Sequence, residues 1–496
     1  MPHTIKWLSW CADTFERAGG LNQPILMYLT APWCHWCSIM ETTTFQDDQV
    51  QQWLKHKFVC MRVNVDQYPH VADRYHFGGY PSVIILTAEG EILQGENYLS
   101  GREMISFLEE SFRKHGKHAC HNSSRFHAQA NALQDKHQGR DEADRTLAIQ
   151  PSLSLRKINQ ILDRSYDQEF GGFFIDDGEI KFPLPEIYDY LLSFGMGYSN
   201  AQEVMMVRKT LDQMLAGELY DRENGGFFRF CERKDWTHAH QEKLLESNAG
   251  LLSCYLKAID IYGWESYKGA VFQTLNYLMT DFWDEETGLF GGSRRENHLD
   301  RIPYTNWNSL MASVLIRAGR IFNYPRYLKL GLQVLDLLWT RCYRFGQGMS
   351  HFCAPETSAP ALLTDQTQYM LALLDAYQYT GEKTYLKRAG LLMGQMEENY
   401  RMPAGNYGDI PIIDSKPGYL KIPLIPFMEN MDVVLLFMRL AHLTEIDLYK
   451  VRGENLLHIL GPMHHDNPIF VAKYGLGLLE LGRFNADQNL IDVCEH

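Results

Sequence analysis

Residues 151 to 496 repeat themselves, and that repeat constrains the fold more than any other feature of the chain. Tyr166-Asp167-Gln168-Glu169-Phe170-Gly171-Gly172 is echoed by Tyr220-Asp221-Arg222-Glu223-Asn224-Gly225-Gly226. Trp283-Asp284-Glu285-Glu286-Thr287-Gly288 repeats it, closing with Gly291-Gly292, and weaker echoes stand at Phe345-Gly346-Gln347-Gly348 and Gly405-Asn406-Tyr407-Gly408. With Gly171, Gly225, Gly291, Gly346 and Gly405 as markers, the steps are 54, 66, 55 and 59 residues, so the 346 residues hold close to six periods of mean 58.5. Each interval carries two helical patterns. Leu252, Tyr255, Leu256 and Ile259 form an apolar stripe stopped at Gly263; Leu310, Met311, Val314 and Leu315 form one stopped at Gly319; Tyr369, Met370, Leu373, Leu374 and Tyr377 form one stopped at Gly381. A second helix then runs to the next Gly-rich loop, as in Leu275, Leu278, Met279 and Phe282. Helical hairpins at this period predict an (α/α)6 toroid, and the near-sixfold count favours a closed ring over an open solenoid.

The front of the chain alternates differently. Pro24 to Thr30 is a short apolar run, Phe58 to Val65 places Val59, Met61, Val63 and Val65 on one face, and Val83 to Leu86 is a third strand. Ala88-Glu89-Gly90-Glu91 turns the chain into Ile92 and Leu93, and a helical pattern covers Ile39 to Phe45. Strands separated by helices predict an α/β layer. Between the first strand and its helix stands Ala31-Pro32-Trp33-Cys34-His35-Trp36-Cys37. Two cysteines two residues apart at a helix start cycle between dithiol and disulfide. Cys34 has its thiolate stabilised by unpaired backbone N–H groups, Cys37 is the resolving thiol one turn along, and a cationic His35 shifts the pair toward an oxidising potential.

Over roughly residues 1 to 112 these features resemble the thioredoxin superfamily: strand, WCxxC, helix, strand, then Gly79-Tyr80-Pro81 before a further strand. The resemblance implies that Pro81 is cis and packs beside the cysteine pair. Thioredoxins proper carry a buried acid six residues before the first cysteine, for proton transfer; here that position is Tyr28. General reductase activity is the property this departure touches.

A chain of 496 residues is too long for one ordinary core. We divide it into a thioredoxin-like domain (1–112), a polar His-rich connector (113–150) and the barrel (151–496). In the connector His115, His118, Cys120 and His121 cluster, but without a second paired ligand set we read a solvated linker and expect no metal and no cofactor. Ten cysteines spread over the whole chain, with only Cys34 and Cys37 closely paired, do not make a secreted disulfide scaffold. The densest apolar stretch, Val433 to Met438, is a core-helix segment, and Met1 to Phe15 has no continuous apolar run of the secretory type. A cytoplasmic or organelle-matrix location with most thiols reduced is therefore expected. The net charge of −14 argues against nucleic acid and anionic membranes as partners.

The repeat region resembles the six-hairpin glycosidase and N-acylglucosamine 2-epimerase superfamily. The whole chain resembles a family joining a thioredoxin-like domain to such a barrel, typified by the spermatogenesis-associated thioredoxin-like protein. The matching pieces are Cys34-His35-Trp36-Cys37, Gly171-Gly172-Phe173 with Lys181-Phe182-Pro183, Gly226-Phe227-Phe228-Arg229-Phe230 and Trp236. They continue with His238 to Leu245, Asn306-Trp307-Asn308-Ser309-Leu310-Met311 and Thr364-Asp365-Gln366. Ser38 stands where the family has the last histidine of CHWCH, Leu184 where a histidine follows KFP, and Ala239 and Gln241 where PHFEKML has proline and phenylalanine.

In such a toroid the starts of the inner helices face a central funnel. The pocket candidates are Arg229, His240, Glu242, Lys243, Glu246, Trp307, Asn308 and Asp365. His240, Glu242, Lys243 and Glu246 fall at the beginning of an inner helix, and the spacing places His240 with Lys243, and Glu242 with Glu246, on shared faces. An aromatic platform with carboxylates and amides suits a sugar ring, although Asp365 reads first as a helix cap. A histidine pair for epimerase-type proton transfer is not evident, His351 being the other candidate partner. Three functions compete. The first is a thiol–disulfide oxidoreductase-like protein whose barrel binds a protein thiol client or a small, carbohydrate-like ligand. The second is a carbohydrate-active isomerase or hydrolase with a regulatory thioredoxin-like domain, and the third a non-catalytic interaction protein.

Overall fold

The computed structural model describes residues 5–118, 151–175, 178–196, 201–296, 298–353, 359–412, 416–461 and 467–484. Most of the expected connector, including Cys120 and His121, lies outside the described residues. The chain divides into two units, Met1–His137 with Ile410–Leu424, and Gln138–Asp409 with Ile425–His496.

The first unit is built on a four-stranded sheet. Strand β1 (Ile25–Thr30), apolar to its last residue and buried throughout, lies between parallel β2 (Val59–Asn64) and antiparallel β3 (Ser82–Leu86). Strand β4 (Ile92–Glu96) continues antiparallel from β3, giving the order β2-β1-β3-β4. The helices are α1 (Ala12–Leu21), α2 (His35–Thr42), α3 (Asp48–Lys57), α4 (Pro69–Tyr75) and α5 (Gly101–His118). Helix α3 starts where the Asp47 carboxylate accepts the N–H groups of Gln49 and Val50 at 2.9 and 3.1 Å. Helix α5 runs past residue 112 into the segment read as connector.

A piece of chain more than 300 residues away also belongs to this unit. The buried Arg74 of α4 donates to the carbonyls of Tyr419 (3.1 Å) and Ile422 (2.7 Å), and the Tyr75 hydroxyl accepts the Tyr419 N–H at 2.9 Å. The two tyrosine rings stack with centroids 5.2 Å apart. Gly90 permits the approach: a Cβ there would sit 2.5 Å from the Cα of Gly418.

The second unit is helical. Among the described residues it holds α6 (Pro151–Ser165), α7 (Pro185–Phe194), α8 (Gln202–Ala216), α9 (Leu245–Tyr262), α10 (Lys268–Asp281), α11 (Thr305–Ile321), α12 (Pro325–Cys342), α13 (Leu363–Thr380), α14 (Lys383–Asn399), α15 (Phe427–Thr444), α16 (Asp447–Leu460) and α17 (Pro468–Phe484). Helices α7, α9, α11, α13, α15 and α17 pack side by side, and α17 returns to α7, so the ring is closed. The other six lie outside them; α7, α9, α11, α13 and α15 each turn back into an outer helix, and α6 packs against α17, so the inner helices share one direction.

The repeat motif is turn chemistry. Asp167 Oδ1 accepts the N–H groups of Glu169 and Phe170, and Asp221 Oδ1 those of Glu223 and Asn224, all within 2.9 to 3.0 Å. The glycines that follow, Gly171 and Gly225, have φ of 67° and 89°, where a side chain would be strained. A buried lysine locks each loop: Lys181 Nζ is 2.7 Å from Asp167 Oδ2, and Lys243 Nζ is 2.7 Å from Asp221 Oδ2 and 2.8 Å from the Gly225 carbonyl. Burial works against ionisation of Asp221, but the Asn224 N–H and the Lys243 ammonium outweigh it and hold the carboxyl below its usual range.

Cysteine pairing goes beyond the sequence expectation. Cys34 is bonded to Cys37, and a second disulfide joins Cys342 to Cys353. Sequence separation of eleven hid it, since neither cysteine belongs to a recognisable motif.

Candidate functional site

Cys34 is the N-cap of α2, and its sulfur accepts the Cys37 backbone N–H at 3.1 Å. This end of the helix turns its unpaired N–H groups toward the residue that needs a stabilised thiolate. Cys34 and Cys37 are 6% and 1% exposed, so an attacking thiol reaches Cys34 first. His35 and Trp36 are exposed, and the Trp36 ring lies 5.2 Å from Tyr98, itself exposed; together they form an apolar rim. The Tyr80–Pro81 peptide is cis, and Tyr80 meets the Trp33 ring at 6.0 Å. The Trp33 indole donates to Asp66 Oδ2 at 2.9 Å, holding the WCxxC loop to the segment after β2. Tyr28, which replaces the buried acid, is fully buried, and its hydroxyl donates to the Cys37 carbonyl at 3.2 Å. Burial pushes its phenol far above the ordinary range, so this group holds the helix and exchanges no proton near neutrality.

The second unit gathers a different set. Glu246, in the first turn of α9, is open to water yet enclosed by protein, as a side chain lining a funnel is. Burial, reinforced by the charge of Glu186, pushes its carboxyl up to about 7 against the opposing pull of His351, Arg229 and the Trp307 indole. Glu186 opens α7 and is raised for the same first reason, burial. Trp307 is in the first turn of α11, its ring 4.6 Å from Tyr304. His351 Nδ1 is hydrogen-bonded to both Asp365 oxygens at 2.9 and 3.1 Å, so one ring nitrogen is oriented by a carboxylate.

Deeper along the same helices a polar belt links the ring. Asp189 pairs with Lys257, Arg317 donates to Ser253 at 3.1 Å and approaches Asp375 at 3.4 Å, and Arg439 reaches Asp375 at 2.7 Å. Gln368 donates to Asp432 at 2.9 Å, and Lys473 binds Asp432 at 2.6 Å while feeling the charges of Glu186 and Asp189. Every cation of the belt has a carboxylate beside it.

The sequence candidates separate into those that line the funnel and those that hold it. Arg229, Glu246 and Trp307 come together with Glu186 and His351. The 240–246 segment does not begin a helix: Glu242–Leu244 is a strand, β5, and α9 starts at Leu245. Side chains alternate along a strand, so Glu242 and Lys243 point opposite ways and the expected shared faces do not exist. His240 Nδ1 lies 2.9 Å from Glu242, with Arg229 3.9 Å from the same carboxylate, and the His240 ring stacks on Phe230. Lys243 is committed to the Asp221 loop. Asn308 is fully buried, with Oδ1 accepting the Phe290 N–H at 2.8 Å and Nδ2 donating to the carbonyls of Phe290 and Tyr304. Asp365 caps its own helix through the Leu362 N–H at 3.3 Å besides holding His351.

Asn308 has counterparts. Asn248, Gln366 and Asn430 are also the fourth residues of their inner helices, and each grips the N–H and the carbonyl of one residue of the preceding Gly-rich loop, Phe227, Met349 and Tyr407. Their spacing of 60, 58 and 64 residues is a second repeat in the sequence, which the glycine markers overshadow. Glu186 and the belt carried no such signal.

The first domain is thioredoxin-like. Residues 1–134 match the family whose model is named Thioredox_DsbH and described as "Protein of unknown function, DUF255". Human spermatogenesis-associated protein 20 is 26% identical over 318 residues, covering 60% of this chain and 40% of that protein. The chain thus spans less than half the length of this curated relative. The helical unit resembles a sugar epimerase from a ruminal bacterium (TM-score 0.56, 10% identity, 67% of this chain and 99% of that one). It also resembles a glycoside hydrolase family 76 mannosidase from Bacteroides thetaiotaomicron (TM-score 0.51, 11% identity, 69% and 100%). At these identities the likeness is one of fold. Among the described residues no helix is long and apolar enough to cross a membrane.

Proposed function

We propose that the first domain performs thiol–disulfide exchange on a protein client. The observation that carries this reading is Cys34 at the N-cap of α2, bonded to Cys37 and receiving its backbone N–H. In the oxidising direction a client thiolate attacks Cys34, Cys37 leaves as the thiolate, and a second client thiol displaces Cys34; in the reducing direction the steps reverse. His35 stabilises the Cys34 thiolate, and Pro81 with the Trp36–Tyr98 rim receives the client backbone. A cytoplasmic or organelle-matrix setting suits a pair that must cycle. The test is titration of the purified chain against defined glutathione ratios, reading Cys34 and Cys37 by alkylation, with Cys34→Ser as control. One reversible two-electron transition is expected; a pair that never titrates overturns the reading.

A second activity is supported by Glu246. A carboxyl held near neutrality beside a second carboxylate, Glu186, and within hydrogen-bonding reach of the Trp307 indole, suits general acid–base work on a polyhydroxylated ring. Because every cation of the belt already has a carboxylate beside it, a neutral saccharide is favoured over an anionic one. Saturable binding of a neutral oligosaccharide, weakened at least about tenfold in Trp307→Ala, is the expected result; equal affinity in both proteins removes the funnel from consideration.

A further inference from the structure

Helix α12 ends at Cys342, and the chain then forms a hairpin, β6 (Tyr343–Arg344) and β7 (Gly348–Met349), before Ser350, His351, Phe352 and Cys353. The Cys342–Cys353 bond closes this hairpin at its base. His351 lies two residues inside the closure. Its N–H donates to the Pro360 carbonyl at 2.7 Å, its carbonyl accepts the Thr305 N–H at 2.8 Å, and its ring is held by Asp365. Thr305 begins α11 and Asp365 stands in the first turn of α13, so the stapled loop fixes the funnel wall between two inner helices.

The two sulfurs differ in access. Cys342 is fully buried at the C-terminal end of a helix, and Cys353 is half-buried. A nucleophile therefore meets Cys353, and Cys342 must depart as a thiolate facing the negative end of the α12 dipole in an apolar setting, where a thiolate is disfavoured. A monothiol forms a mixed disulfide that the neighbouring Cys342 thiol reverses. A dithiol able to close its own disulfide completes the reaction, because its second thiol displaces Cys353 before Cys342 returns.

We propose that Cys342–Cys353 is a redox-controlled staple on the barrel, opened by dithiols and not by monothiols, and that opening it frees the hairpin that seats His351. The reaction balances: the dithiol loses two electrons and two protons and becomes a disulfide, and Cys342 and Cys353 each gain one proton and one electron. The inference stands whichever ligand the funnel takes, and Cys34–Cys37 in its reduced form is a reductant of the required class.

The test uses the full chain and a Cys34→Ser/Cys37→Ser variant that removes the other disulfide. Native protein is treated with about 1 mM dithiothreitol or with glutathione at equal thiol concentration, alkylated, and mapped by peptide mass. The expected result is a linked 342–353 pair in the oxidised protein, opened by dithiothreitol and left closed by glutathione. Amide hydrogen exchange over residues 343–353 should then rise at least about tenfold. Cys342→Ala/Cys353→Ser should reproduce that exchange; if it does not fold, the reduced native chain supplies the same readout. Free thiols in the oxidised protein, opening by glutathione as readily as by dithiothreitol, persistence of the bond until unfolding, or reduction with unchanged exchange would each overturn the proposal.

Discussion

Glu246 keeps its proton to about pH 7 because its carboxyl is enclosed beside Glu186. In the unfolded chain the same group ionises near its ordinary 4.5, so between these values the folded protein binds the extra proton. Stability from this residue is therefore present at the acid end of the window and is lost as pH rises through it. Because the side chain is open to water, the effect is discounted to about 1 kcal/mol. Native protein should lose that much more stability than Glu246→Gln between about pH 5 and about pH 7, checked by urea unfolding at both values. Parallel losses would make Glu246 an ordinary carboxylate. Residue identity alone did not distinguish Glu246 from Lys243. Both are charged residues within one seven-residue stretch, but a strand period sends Lys243 to the Asp221 loop, while Glu246 stands in the first turn of the helix.

At the scale of elements, the buried amides join each Gly-rich loop to the helix that follows. Asn308→Ala leaves the Phe290 N–H and carbonyl buried without their partner and should lower the stability of the helical unit by about 2–3 kcal/mol, read from its own unfolding transition. A loss below about 0.5 kcal/mol would mean that water replaces the amide. This role was hidden because an amide in a first turn looks the same whether it grips backbone or ligand. The Asp-to-Gly turns were legible, since an Asx turn is made within five residues and needs no distant partner. The strap of Ile410–Leu424 was not legible. Arg74 and Tyr75 meet it across more than 300 residues, and nothing near either side in the chain marks the encounter.

On the scale of the whole molecule, it is the helical unit that depends on ring closure. Gly475 of α17 faces Tyr190 of α7, and a Cβ there would lie 2.4 Å from the ring. Gly475→Val should cost the helical unit about 3 kcal/mol, with hydrogen exchange rising first in residues 185–194 and 468–484. Full tolerance would place the two helices apart, as in an open solenoid. By itself the sequence determined the repeat of helix pairs, its near-sixfold count and the strands of the first domain: apolar stripes of helical period, turns closed by Asp and Gly, and a cysteine pair at a helix start all act within a few residues. Only the tertiary structure decided what the toroid axis holds. Glu186, Glu246, Trp307 and the charged belt come from different helices and His351 from a loop between two of them, and a helix side chain reaches the axis only if its helix is rotated toward it. That rotation is set by packing against neighbours and outer helices many residues away, which is why these groups share a site and no motif.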